Sequence, residues 1–271
     1  MSARDFLIRG LLAGLVAAFA AFAVAYVVGE PPLRAAIALE DSTGGHSHGT
    51  ESAEHAGSPE HAGSAEHAEA PAPGEVEVPR SLQSTLGLLT GLLVAGVVLG
   101  GLVGVVAALA MGRFGRLSPR STTLAVAAVA FAAVYAVPFL IYPPNPPAVG
   151  SGDTIGLRSA LYFIFLAISL IAAVTAVLVG RRLSARFGGW HAGLVAVAGY
   201  TVVMLVVMAL LPHHNEVPDT FPASVLYDFR RASFLTQLTL WAVLGSVLAE
   251  LVGRLSRTES APSRELADLR G

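Results

Sequence analysis

Histidines are the residues of this chain whose type and spacing best suit chemistry. Seven of the eight fall in two segments, five in one Gly/Ala/Glu-rich stretch and two as an adjacent pair: His46, His48, His55, His61, His67, His213 and His214. Neutral imidazole binds divalent transition metals, often together with carboxylates. These side chains therefore predict the capture of a metal ion.

Three of the five histidines in the first group belong to a six-residue repeat. A Glu-His pair recurs as Glu54-His55, Glu60-His61 and Glu66-His67. Such a composition buries too little apolar area to offset its chain entropy, so we predict disorder. A flexible chain can still fold weakly around an ion, which predicts a metal-collecting loop; the alternative is an acidic spacer with incidental histidines. Because neutral imidazole is the ligand form, metal binding by this loop should weaken below about pH 6.5.

The histidine pair lies in a stiffer segment. Two imidazoles, the Asn215 amide and the carboxylates of Glu216 and Asp219 fall within residues 213–219, and prolines stand before and within this stretch. We predict that His213, His214 and Glu216 form a site that transfers the metal. The alternative is a capped helix end with solvated polar residues.

A second rigid segment is the proline-rich stretch Tyr142-Pro143-Pro144-Asn145-Pro146-Pro147-Ala148-Val149-Gly150. Prolines fix φ and remove backbone donors, so this stretch is non-helical with free carbonyl groups. Those carbonyls and the Asn145 amide could help to remove water from a cation, which makes Asn145 a candidate ligand. Alternatively, the prolines only end one helix and redirect the chain.

Composition assigns the chain to membrane proteins. Of its 271 residues, 54% are apolar and 13% are charged, which is too apolar for an ordinary soluble domain. The chain has no lysine, so it carries no Walker A phosphate loop, and no cysteine, so it has neither disulfides nor thiolate metal sites. We expect the lipid bilayer and a divalent metal ion as partners, no nucleic acid, no resident cofactor and no enzymatic activity.

The apolar residues predict an all-α membrane protein, a bundle of six transmembrane helices with a disordered His/Glu-rich extracytoplasmic loop. A run of about 20 apolar residues crosses a bilayer, and such runs occupy residues 6–28, 82–111, 122–142, 155–179, 190–211 and 232–251. The corresponding division is helix 1 at 1–29, the loop at 30–80, a five-helix core at 81–252 and a tail at 253–271. The second run has glycines at 87, 91, 96, 100 and 104, which allow close helix packing and predict a central position.

Arginine counts predict the orientation. In the six-span path, twelve of the 17 basic residues flank one side, namely those at positions 4, 9, 113, 116, 120, 181, 182, 186, 254, 257, 264 and 270. The excess marks the cytoplasmic side, so we predict a multi-pass plasma-membrane protein with both termini in the cytoplasm. Cleavage of the first run as a signal peptide is the alternative; its apolar core is long for that role.

The predicted spans contain almost no ionisable side chain. Arg9 and Glu250, near cytoplasmic ends, are the exceptions. A proton-coupled pump normally carries an intramembrane relay of ionisable groups, so we expect facilitated passage or dependence on another subunit. The polar groups left for a pathway are backbone carbonyls, amides and the hydroxyls of Thr90, Ser169, Thr175, Tyr200 and Thr201.

These motifs resemble the CbtA-type predicted cobalt transporter subunits. The resemblance is carried by the proline-rich stretch 142–150 and continues through Arg158, Tyr162, Asn215-Glu216-Val217-Pro218, Phe221-Pro222, Phe229-Arg230, Gln237 and Trp241. It implies a multispanning subunit that works with a small single-span, histidine-containing partner, and a link to cobalamin supply. The triple Glu-His repeat is more elaborate than the first loop of many family members.

Residues and resemblance together predict a subunit of a divalent metal uptake transporter, with Co2+ first and Ni2+ or Zn2+ as further cargo. The alternative is a membrane-anchored metal buffer or sensor that binds ions without moving them. A membrane metalloenzyme would need several helix-borne histidine clusters converging on shared ions, and the sequence outside the loop offers one His-His pair.

Overall fold

The computed structural model describes residues 2–44, 79, 82–113, 117–150, 154–212 and 216–268. The five histidines of the predicted loop, the pair His213 and His214, and the predicted disorder of the loop lie outside the described residues. Asn145 and Glu216 lie within them.

The described part of the chain is helical and contains no strand. Its α-helices are α1 (Ala3–Val24), α2 (Glu30–Gly44), α3 (Leu88–Ala110), α4 (Pro119–Phe131), α5 (Val137–Ile141), α6 (Ile155–Leu210) and α7 (Ala223–Asp268). Three π-helical turns, Ala25–Gly29, Gln83–Gly87 and Ala132–Ala136, join or precede them. The predicted all-helical class is confirmed.

Five helical stretches of the described chain are long and apolar enough to cross a membrane. They are Ala3–Ser42, Ser84–Ala110, Pro119–Ile141, Ile155–Leu210 and Ala223–Leu255. The fourth has 56 residues, and a straight helix of that length would extend roughly 84 Å, nearly three times the thickness of the hydrocarbon core.

That fourth stretch folds back on itself at Gly188. The backbone there has φ 77° and ψ 160°, outside the helical region and in a conformation that glycine adopts readily. The Ser169 hydroxyl lies 2.8 Å from that of Tyr200, and a Cβ on Gly180 would lie 3.0 Å from Cβ of Ala196. The two halves of α6 are therefore arms of an antiparallel hairpin, which correspond to the fourth and fifth predicted runs.

The first helix continues beyond the predicted stop at Gly29-Glu30-Pro31-Pro32. The π-helical turn Ala25–Gly29 leads directly into α2, where the Glu30 amide donates to the Ala25 carbonyl. A π-turn widens the helix and changes its register, which lets the chain pass the prolines without ending. The boundary between helix 1 (1–29) and loop (30–80) was therefore misplaced, because residues 30–44 are helical. As a consequence Glu30 lies within a helix and is only 4% exposed.

The glycines of α3 pack against α1 at backbone distance. A Cβ on Gly96 would lie 2.6 Å from the Gly14 carbonyl oxygen, and one on Gly104 would lie 2.5 Å from that of Phe6. Side chains larger than hydrogen do not fit there, which is the small-residue contact typical of membrane helices. Of the five glycines noted in the sequence, the three at 96, 100 and 104 make this contact, whereas Gly87 and Gly91 face no neighbouring helix.

The hydrophobic core lies between α1, α3, α4 and α7. Its buried residues include Phe6, Val103, Val126, Leu244 and Leu248. The α6 hairpin lies outside this core and contacts the rest of the bundle mainly through α5 and the adjoining π-turn. The first helix, α1, supplies Phe6 and several buried alanines to this core.

The contacts give the bundle two distinct ends. Phe6 meets Gly104, and Arg120 at the start of α4 forms an ion pair with Glu250 near the end of α7. These four residues mark one end of the bundle, which we call the opposite end. The other end, which we call the site end, holds segments 142–150 and 216–222. At this end the chain also leaves α2 at Gly44 and re-enters the bundle at Leu82.

Candidate functional site

The site is built around the segment between α5 and α6. Tyr142 ends the helix with φ −119° and ψ 67°, and the non-helical stretch that follows leads into a turn in which the Val149 amide donates to the Pro146 carbonyl. At the end of the segment Ala148 has φ 64° and Gly150 has φ 110°. The segment is non-helical, as its proline content predicted.

Glu216 forms an ion pair with Arg158. The Arg158 guanidinium, on the first turn of α6, donates to the carboxylate of Glu216, in the segment that connects α6 to α7. The Glu216 side chain is 13% exposed and that of Arg158 is 33% exposed. In a partly buried position the opposite charge offsets the cost of removing the carboxylate from water.

Gly150 leaves the space in which this pair forms. A Cβ at position 150 would overlap the Arg158 guanidinium and would lie 3.2 Å from Oε2 of Glu216. The φ of 110° is also one that side chains other than glycine rarely adopt. The proline-rich segment therefore contacts both members of the pair through a residue without a side chain.

Asn145 is held by a second arginine. Nη2 of Arg230, on the second turn of α7, donates to Oδ1 of Asn145 over 2.9 Å. Within the described part of the chain, no carboxylate lies within ion-pair distance of Arg230, and its buried Nε has no hydrogen-bond partner. Among the residues that the structure describes, the charge of Arg230 is therefore met by the neutral Asn145 amide.

Tyr142 adds a buried hydroxyl to the same segment. Its ring packs edge-on against Phe165, with ring centroids 6.0 Å apart, and its hydroxyl has no hydrogen-bond partner among the described residues. Burial raises the pKa of the Tyr142 phenol, so the hydroxyl remains protonated and can donate to a ligand.

Two of the nine predicted metal ligands lie within the described residues, each bonded to an arginine. Asn145 and Glu216 both lie at the site end, but each gives an oxygen to a guanidinium rather than to an open cavity. No cluster of three or more His, Asp or Glu side chains suited to a metal ion occurs within the described residues. His213 and His214, which directly precede Asn215 and Glu216, are outside those residues.

A buried polar contact lies deeper in the bundle. The Ser169 hydroxyl donates to the Ala133 carbonyl over 2.7 Å, and Tyr200 is its other partner. Ala133 belongs to the π-turn Ala132–Ala136, and a π-turn disturbs the regular helical pattern of carbonyl hydrogen bonds. Of the hydroxyls expected along a pathway, Ser169 and Tyr200 meet inside the bundle, while Thr90, Thr175 and Thr201 are exposed on its surface.

Sequence reasoning missed the partners of the candidate ligands. The sequence did not predict that Arg158 contacts Glu216 or that Arg230 contacts Asn145, and Gly150 had no assigned role. Their partners are 58 and 85 positions away in the chain, so spacing carries no signal for the pairing. The available signal was charge: these are two of only five arginines on the side predicted to be poor in arginine.

Comparison with known proteins gives one match. A family model described as "Probable cobalt transporter subunit (CbtA)" matches residues 3–253 of the 271-residue chain. No curated protein and no solved structure matches the chain. The matched range contains α1 through most of α7, and with them every residue of the site.

Proposed function

We propose, on the premise that this chain belongs to the CbtA family of probable cobalt transporter subunits, that it takes a divalent cation at the site end and passes it into the helix bundle. Co2+ is the first candidate cargo, with Ni2+ and Zn2+ as alternatives. The observation that supports the proposal is that Asn145 and Glu216, from segments far apart in sequence, both lie at the site end of an apolar bundle, each bonded to an arginine.

In this proposal the two arginines hold the site while no cation is present. Arg158 neutralises Glu216, which avoids an uncompensated carboxylate at a partly buried position. An arriving cation competes with Arg158 for Glu216, and Arg158, one third exposed, is free to turn toward solvent. Imidazole, carboxylate and amide groups suit a divalent transition metal, so we propose that His213 and His214 complete the ligand set.

The histidine-rich segment is proposed as a collecting loop. Its attachment points, Gly44 and Leu82, are at the site end of the bundle, the end that also holds Asn145 and Glu216. A weakly binding segment there raises the local ion concentration without fixing a geometry. We further propose six membrane crossings, with the two arms of α6 as the fourth and fifth, and a small single-span partner subunit.

The test is initial-rate uptake of Co2+, Ni2+ and Zn2+ in cells with and without the protein and its proposed partner subunit. Glu216→Gln should abolish most of the uptake, because it removes the proposed anionic ligand. Asp219→Asn is the matched control: it removes the same charge from the same segment at an exposed position and should leave uptake unchanged. Equal loss in the two variants, or no metal uptake in the unaltered protein, would reject the proposal.

Deletion of residues 44–69 separates transport from the alternative, a membrane metal buffer. A transporter that has lost its collecting loop should still take up metal slowly at high concentration, because the site at Asn145 and Glu216 is intact. A buffer should lose its entire phenotype at every metal concentration. Retained uptake with an increased half-saturation concentration is the result we expect.

A further inference from the structure

A groove on the outer surface of the bundle lies beside the candidate site. It has a volume of about 460 Å³ and is formed by Phe139 of α5 and by the first turns of α7. Leu226, Phe234 and Leu235 supply apolar wall, and Arg230 and Arg231 supply the polar part. The volume is in the range of small-molecule sites, roughly 300–1,000 Å³.

The charges of this groove do not balance. Arg231 pairs with Asp228 over 3.2 Å and lies above the ring of Tyr227 at 5.9 Å. Arg230 has only the neutral Asn145 amide, and its Nε has no hydrogen-bond partner within the described part of the chain. Two guanidinium groups and one carboxylate leave one positive charge. A partly buried cation without an anion is unfavourable, so the missing partner should be an anion.

The walls show what kind of anion fits. An apolar groove on the outer surface of a bundle of apolar helices that also carries a guanidinium group suits an amphiphile with a negative head and a hydrocarbon tail. Guanidinium matches phosphate oxygens in charge and geometry. We propose that this groove binds an anionic phospholipid, with its phosphate on Arg230 and an acyl chain along Phe234 and Leu235.

The length of the groove favours a lipid over a helix of another subunit. From Arg230, the proposed phosphate ligand, its residues on α7 run to Leu235, which is roughly 7.5 Å of helix at 1.5 Å per residue. That is about half of one leaflet, which is itself half of a hydrocarbon core of about 30 Å, so the groove holds the part of an acyl chain next to its headgroup. A transmembrane helix of a partner needs a contact surface across the whole core, which this groove does not provide.

The experiment counts lipids bound to the purified full chain in mild detergent by native mass spectrometry. The protein is titrated with dioleoyl phosphatidylglycerol, which is anionic, and with dioleoyl phosphatidylcholine, which is zwitterionic and has the same tails. We expect a preference for phosphatidylglycerol. Arg230→Gln should reduce that affinity by about tenfold, the usual size of a lost charged hydrogen bond, and Arg230→Lys should retain most of it.

Two further variants complete the test. Arg113→Gln removes an exposed arginine at the opposite end, where it bonds only its own helix, and should not change the lipid preference. Leu235→Trp narrows the apolar part of the groove, leaves Arg230 and Arg231 unchanged, and should weaken phosphatidylglycerol binding. Equal binding of the two lipids by the unaltered protein, or full affinity in both Arg230→Gln and Leu235→Trp, would overturn the proposal.

Discussion

Each of the two candidate ligands at the site end meets an arginine. Glu216 pairs with Arg158 and Asn145 accepts from Arg230, although a binding site for a cation normally avoids positive charge. The sequence indicated Asn145 and Glu216 as candidate ligands, because Asn145 lies in a proline-rich stretch and Glu216 closely follows a histidine pair. It could not show that both oxygens are shared with guanidinium groups, since those contacts depend on the tertiary fold.

The exchange of Arg158 for a cation makes a specific kinetic prediction. Arg158→Gln removes the internal competitor for Glu216, so Co2+ should bind more tightly, and KM for uptake should fall by about fivefold, equivalent to about 1 kcal/mol. The maximal rate should also fall, because a cation held by an unopposed carboxylate leaves more slowly. Initial uptake rates over a range of Co2+ concentrations measure both quantities.

A purely structural role for Arg158 leads to a different result. In that case Arg158→Gln leaves Glu216 without its counter-charge, which distorts the site, so KM should rise while the maximal rate falls. The direction of the change in KM therefore decides between the two roles. Arg34→Gln is an unsuitable control because its partner Glu30 is buried; Arg113→Gln serves instead.

At the scale of elements, the sequence predicted the helices better than their ends. Apolar runs indicated which segments are long and apolar enough to cross a bilayer, and the glycines of α3 indicated a close helix contact. The predicted central position of α3 was wrong: it packs mainly against α1 and leaves Val98, Leu102 and Val106 exposed. The sequence-based prediction placed the end of the first helix too early, because prolines such as Pro31 and Pro32 normally stop an α-helix. The π-turn that lets the helix pass them leaves no recognisable mark in the sequence. The same arrangement recurs at Ala132–Ala136, just before Pro138.

The contact between α1 and α3 gives a prediction with an internal control. Gly100→Ala places a Cβ 2.8 Å from Cα of Gly14 and against the Gly10 carbonyl, and backbone atoms cannot move aside as a flexible side chain can. We expect the free energy of unfolding to fall by about 1–3 kcal/mol. Gly91→Ala, the same change in the same helix with nothing within 4 Å, should be neutral or stabilising by up to about 1 kcal/mol. Thermal unfolding in detergent measures both.

The buried hydroxyl contact at the α6 hairpin gives a second prediction at this scale. Ser169→Ala leaves the Ala133 carbonyl and the Tyr200 hydroxyl without their interhelical partner. Such bonds in membrane bundles contribute about 0.6 kcal/mol on average and up to about 1.7 kcal/mol, and the buried position favours the upper part of this range. Thr175→Ala removes a hydroxyl that bonds only within its own helix and should have little effect on the same unfolding midpoint.

At the scale of the whole molecule, the bundle separates its charges between two ends. The opposite end holds Arg9, Arg113, Arg120 and Arg254, with Arg120 and Arg254 both paired with Glu250. The site end holds Arg158, Arg230 and Arg231. Arg158 pairs with the Glu216 carboxylate, Arg230 donates to the Asn145 amide, and Arg231 contacts both the Asp228 carboxylate and the Tyr227 ring. The excess of arginine at the opposite end is what the positive-inside rule associates with the cytoplasm.

Because the chain has no cysteine, a single introduced thiol reports which side each end faces. Thr220→Cys lies in the exposed turn before α7 at the site end, and Ser184→Cys lies near the reversal of α6 at the opposite end. A membrane-impermeant maleimide should label Thr220→Cys in intact cells and Ser184→Cys only after the membrane is opened. The reverse pattern would place Asn145 and Glu216 in the cytoplasm, so that the same site would receive metal from inside the cell and the chain would act in export.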